Sequence, residues 1–151
     1  MAELKDTLRR DLTAAMKAQD KLTMQVLRMA LAAIAAEEVA GTAARTLTAD
    51  EEQAVIRRET RQRREAAEVY AAAGRAELAA QETAEADLLQ GYLPAPLTEA
   101  ELDAVVAAEV AAVPGASLKQ MGAIVRAVNA RVQGRAEGRV VAAKVKAALG
   151  T

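Results

Sequence analysis

Apolar residues recur along this chain at intervals of three and four, the spacing that gathers them on one side of an α-helix. No segment keeps the two-residue alternation of a half-buried strand. Leu4, Leu8, Leu12, Ala15 and Met16 form a first stripe, and Val26, Leu27, Ala30, Leu31 and Ile34 form a second. Asp20 stands between them as a candidate N-cap, so two antiparallel helices with a short joint are predicted. Thr48 and Glu51 have the spacing of a capping box, in which the hydroxyl accepts from a first-turn N–H and the carboxylate reaches back to the cap N–H. A third helix should start there and run to Gly74, a residue suited to a left-handed C-terminal turn. Arg75 opens a fourth helix that reaches Leu88 and Leu89.

The stretch QGYLPAPLTEAEL, residues 90 to 102, holds two of the three prolines. Gly91 can end the fourth helix, and Pro94 and Pro96 push Leu93 and Ala95 into extended backbone. Thr98 and Glu101 form a second capping box that starts another helix. Tyr92 and Leu93 are large where a free linker would carry Gly and Ser, so they are expected to act as an apolar plug seating one helical unit against the other. Beyond the joint, Pro114-Gly115 stops a helix, Ser117 to Gln120 is a third capping box, and Gly134 and Gly138 bracket a turn before a last helix ending near Leu149. The expected architecture is all-α: an N-terminal four-helix unit over residues 1–92, followed by a small three-helix C-terminal domain over 93–151.

Composition narrows the chemistry. A chain of 151 residues that is 52% apolar and 27% charged has the balance of a foldable globular protein rather than a disordered tail. It has no cysteine, hence no disulfide framework and no thiol nucleophile, and the cytoplasm is the expected compartment. Five charges within MAELKDTLRR occupy the place of a signal peptide's apolar core, and no later run approaches a membrane span, so no membrane partner is expected. There is no histidine and a single serine, Ser117, which removes most hydrolase constellations. Two tyrosines are the only aromatic residues, too few for base-stacking platforms. Binding would have to come from charge and shape.

Several strings in order carry a resemblance. AMKAQD followed by Leu27-Arg28, AGRAELAAQE at Ala73 to Glu82, YLP at Tyr92 to Pro94, KQMG at Lys119 to Gly122 and GRAEG at Gly134 to Gly138 resemble the GatB/YqeY family over nearly the whole chain. Ala66 stands where that pattern often has serine, Val125 where it has a second methionine, and Glu137 where it has aspartate. The resemblance implies a helical N-terminal domain and a three-helix C-terminal domain similar to the tail of the B subunit of tRNA-dependent Asp/Glu amidotransferase. In that enzyme the tail is associated with holding the tRNA body, while the amide-forming chemistry lies in another domain. It therefore implies binding rather than turnover, with no cofactor.

Charge placement adds independent evidence. From Ser117 onward the basic residues are Lys119, Arg126, Arg131, Arg135, Arg139, Lys144 and Lys146, against the single acid Glu137, although the whole chain nets −1. Two readings stand side by side. The cations are solvated helix faces, with Arg131, Lys144 and Lys146 complementing helix C-termini. Alternatively they are an RNA-binding surface that attracts phosphates by counterion release and reads shape.

A second basic cluster, Arg57, Arg58, Arg61, Arg63 and Arg64, is interleaved with Glu59, Glu65 and Glu68, which favours intrahelical pairing, with Arg63 turned toward the apolar stripe and a carboxylate. Glu82 and Glu85 share a helix face, but without a histidine in a Glu-x-x-His arrangement they read as partners for Arg63 or Arg75 rather than as metal ligands. The leading expectation is a non-catalytic accessory module for tRNA or another structured RNA. The alternative is a helical adaptor for a protein partner linked to translation or amidotransferase components, its alanine-rich first two helices permitting close helix approach. A carbon–nitrogen ligase using glutamine as amido donor is suggested only by family association.

Overall fold

The computed structural model describes residues 3–150, and among them every regular element is helical. The helices are α1 (Glu3–Ala18), α2 (Lys21–Glu38), α3 (Ala49–Ala72), α4 (Ala76–Gln90), α5 (Glu99–Ala111), α6 (Met121–Val132) and α7 (Gly138–Leu149), with a 3₁₀ turn at Leu118–Gln120 leading into α6. The capping residues explain most of the boundaries. Asp20 accepts from the Thr23 N–H at the start of α2, and Thr48 and Thr98 form reciprocal capping boxes with Glu51 and Glu101. Ser117 and Gln120 do the same for the 3₁₀ turn. Gly74 follows α3 at φ +76, a conformation that a Cβ would oppose, and α4 begins two residues later. Two left-handed residues have no glycine signal: Gln19 between α1 and α2, and Gln133 at the end of α6. Gln133 and Gly134 take positive φ in succession and turn the chain back into α7.

The described residues fall into two compact units, the first ending at Leu93 and the second beginning at Pro94. The N-terminal core joins Leu8 of α1, Val26, Leu27, Ala30 and Ile34 of α2, Val55 and Ile56 of α3 and Leu89 of α4. Leu47 is buried there as well, from the loop before α3, outside any helical periodicity. Met16, at the end of the first predicted stripe, is half exposed: the stripe narrows toward the end of α1, where Ala15 is the residue buried.

Tyr92 and Leu93 pack against the N-terminal unit's own core. The Tyr92 hydroxyl donates to Asp11 Oδ2 at 2.6 Å, tying the residue after α4 back to α1. Burial, then the hydrogen bond and the negative charge of Asp11, hold this phenol well above its ordinary pKa, so it remains a donor. Tyr92→Phe is expected to lower stability by about 1.5 kcal/mol, the net contribution of a half-buried hydrogen bond to a charged acceptor. The measurement is a urea midpoint at unchanged slope; an unshifted midpoint would show that water replaces the contact at no net cost.

The C-terminal core consists of Leu102 and Val106 of α5, Ile124, Val128 and Val132 of α6, and Val141 and Val145 of α7. Valine is a poor helix former, so its dominance here shows packing overriding local propensity. The short side chains also let three helices of 12 or 13 residues approach closely without any aromatic residue.

Candidate functional site

The seven cations of the C-terminal unit separate by what surrounds them. Lys144 of α7 is held at 2.6 Å from Asp103 Oδ1 and 3.3 Å from Glu99 Oε1, both on α5. The Asp103 contact, then the one to Glu99, holds its ammonium above its ordinary pKa against some desolvation. Arg131 in the last turn of α6 meets Glu109 of α5 at 3.3 Å. The half-buried Arg135 donates from Nε to the Ala95 carbonyl at 2.7 Å, while its own carbonyl accepts from the Leu97 N–H at 2.9 Å. These two bonds lace the α6–α7 turn to the Pro94–Leu97 segment, so Arg135 has a structural task. Its charge also helps hold the Glu101 carboxyl below the usual range, after the larger effect of the Thr98 bonds.

Arg139 pairs with Glu137 at 3.1 Å with both side chains largely in water, an arrangement that contributes little and yields readily to a competing anion. Lys119, Arg126 and Lys146 are exposed and form no ion pair among the described residues. Lys119 leads into α6, and Arg126 follows seven residues later, two helical turns on, away from the buried Ile124–Val128–Val132 side. Apart from Arg131, which pairs with Glu109, the exposed positions of α6 between and beyond them are Gly122, Ala123, Asn129 and Ala130, small or neutral residues that leave the cations reachable. Neither α6 nor α7 contains an acid.

Counting charges only from Ser117 onward leaves out the acids of α5. The unit from Pro94 has seven bases and five acids, Glu99, Glu101, Asp103, Glu109 and Glu137, for a formal net of +2 rather than +6. Glu99 and Asp103, spaced i and i+4, and Glu109 further along the helix were the available signal. Lys144 acts across to α5 rather than on the C-terminus of its own helix, whereas Arg131 and Lys146 do lie in last turns.

In the N-terminal unit the arginine cluster of α3 is largely committed to acids. Arg61 pairs with Glu65 and Arg63 with Glu59 within the helix, as the interleaving predicts. Arg58 reaches Glu37 of α2, and Arg64 reaches Asp87 of α4 at 2.8 Å. Arg63 is buried and also faces Glu85 of α4 at 3.5 Å, both side chains about 5% exposed, and Gln81 donates to the same carboxylate. Glu85 is thereby engaged in structure, as the reading of Glu82 and Glu85 anticipates.

Among the described residues, seven helices arranged in two units, with acid-free α6 and α7 closing the second, define an all-α protein whose C-terminal unit carries exposed cations without ion pairs. The family profile described as Yqey-like protein matches residues 5–149, and the chain belongs to that family. Among curated proteins none matches the chain. No helix among the described residues is long and apolar enough to cross a membrane.

Proposed function

We propose that this chain is a non-catalytic accessory module that binds tRNA or another structured RNA through its C-terminal unit. The observation that carries the reading is the pair of acid-free helices with Lys119, Arg126 and Lys146 exposed and unpaired among the described residues, joined by the weakly held Arg139. The resemblance to the tRNA-associated tail of the amidotransferase B subunit supports it. Arg131, Arg135 and Lys144 act mainly as internal ties, so the contact falls to four of the seven cations. Phosphates attracted to such a surface release counterions, so affinity depends steeply on salt and little on base sequence.

The test is a titration of the full chain with tRNA at a series of salt concentrations. Lys119→Ala, Arg126→Ala and Lys146→Ala are each expected to weaken binding and to flatten the logarithmic salt dependence by about one unit. Arg131→Ala, which removes an internal tie, should change the slope far less. Absence of tRNA binding at low salt, or a slope indifferent to all three substitutions, ends this reading.

A further inference from the structure

The outward side of α2 has a pattern that the N-terminal core does not use. Leu22, Gln25, Met29, Ala32, Ala36 and the closing residue Val39 follow one another at intervals of three, four, three, four and three, and all six are exposed. This is the a/d spacing of a helix-pairing seam, and it lies opposite the buried Leu27 and Ile34. Leu22, Met29 and Val39 are 36%, 45% and 63% exposed. The alanines between them leave room for a second helix to approach closely. Met29 is held in place beneath, since its sulfur accepts from Nη2 of the buried Arg63 at 3.7 Å.

On α2 itself the unpaired charges beside the seam are of one sign, and the nearest acids of α3 and α4, Glu59 and Glu85, are taken up by Arg63. Lys21 and Arg28 are exposed and form no ion pair among the described residues. The acids of α2 are turned to other helices, Glu38 to Lys5 of α1 and Glu37 to Arg58 of α3, and the neighbouring Asp20 is engaged in capping Thr23. A second copy of the chain is a poor occupant, because antiparallel pairing about a two-fold axis sets Arg28 against the copy's own Arg28 region without an intervening acid. We propose that this face docks an amphipathic helix of a partner protein, one with apolar residues at the seam and glutamate or aspartate along its flanks. The occupant follows from complementarity: apolar spacing sets its periodicity, and the cationic flank sets the sign of its charge.

The test uses the full chain and a labelled synthetic helical peptide of about three heptads, matched to the length of α2, with leucine at the seam positions and glutamate on the flanks. A second peptide carries lysine on the flanks instead. The glutamate peptide is expected to bind, with the lysine peptide at least about tenfold weaker. Leu22→Glu and Met29→Glu should each weaken the glutamate peptide at least about tenfold, and Arg28→Glu should narrow or invert the preference between the peptides. All three positions are exposed, so circular dichroism should show an unchanged fold. Equal affinity for both peptides, no binding of the glutamate peptide, or binding that survives Leu22→Glu and Met29→Glu overturns the proposal. So does a dimer of the chain that Leu22→Glu disperses, which would make a second copy the occupant.

Discussion

Replacing Glu85 with alanine is expected to lower the unfolding free energy by about 3–5 kcal/mol, the usual penalty for stranding one member of a buried ion pair. Glu85 and Arg63 are each about 5% exposed, and the guanidinium retains only Glu59, the Glu59 carbonyl and the Met29 sulfur as other partners. Loss of Glu85 leaves Arg63 Nε facing no carboxylate in a site that water scarcely reaches. Glu59 stays within 3.3 Å of Nη1, which places the expected loss toward the lower end. The double variant Arg63→Met with Glu85→Leu removes both charges while keeping volume, and should recover most of the stability. Urea unfolding followed by circular dichroism reads both. A single variant costing under about 1 kcal/mol would mean that the site is wetter than its burial indicates.

The same pair ties α3 to α4 at the place where the Met29 sulfur meets Arg63, so its loss has a second readout. Met29 is a seam residue on the outer face of α2, and its thioether loses an ordered donor if Arg63 moves. Glu85→Ala should therefore also weaken the glutamate-flanked peptide, while leaving the salt dependence of tRNA binding as it was. The two surfaces lie on different units and draw on different residues.

Features that depend on a few neighbouring residues could be read from the chain. The helix starts at Asp20, Thr48 and Thr98 and the stop at Gly74 rest on contacts within a turn, and the hydroxyl–carboxylate spacing encodes them. Arg63 was legible as a buried cation because it falls on the apolar side of an otherwise polar helix. Pairings between helices were legible only in part: Arg63 could be read as a partner for Glu85, but the ties within the C-terminal unit could not. The bonds from Lys144 to Glu99 and Asp103 span more than 40 positions and exist only because α7 packs on α5. Leu47 escaped for a related reason: it is buried by loop geometry, where periodicity has nothing to say. The outer seam of α2 was hidden by its own composition, since alanine marks buried and exposed helix faces alike.

The candidate surface shows the same division. That α6 and α7 are rich in cations is a property of the sequence. Which cations remain free depends on α5, whose acids neutralise Lys144 and Arg131 from across the unit. Arg135 illustrates the limit most clearly, because a carbonyl acceptor such as Ala95 leaves no trace in any charge pattern.

Lys5→Met is expected to cost about 2–3 kcal/mol near neutral pH, and the loss should shrink as the solution is acidified. Lys5 Nζ bonds Glu38 Oε1 at 2.7 Å, with both side chains less than one-fifth exposed. Glu52 of α3 lies beside them, only 1% exposed, with its Oε1 unpartnered among the described residues. Burial pushes the Glu52 carboxyl above the ordinary range; the Lys5 N–H and charge pull it back, and the charges of Glu38 and Asp6 add to the rise. A carboxyl whose folded pKa lies above its unfolded value contributes most below the unfolded value, and that contribution is lost as pH rises through the folded one. At neutral pH Glu52 is thus a liability that Lys5 moderates, and removing Lys5 enlarges it. Well below about pH 4 Glu52 is neutral in folded and unfolded chains alike, and the lost packing is what chiefly separates variant from wild type. Adding Glu52→Gln to Lys5→Met should restore part of the neutral-pH loss while changing little in acid. A gap between Lys5→Met and wild type that stays constant from neutral to acid pH would mean that Lys5 acts through packing rather than through its charge on either carboxylate.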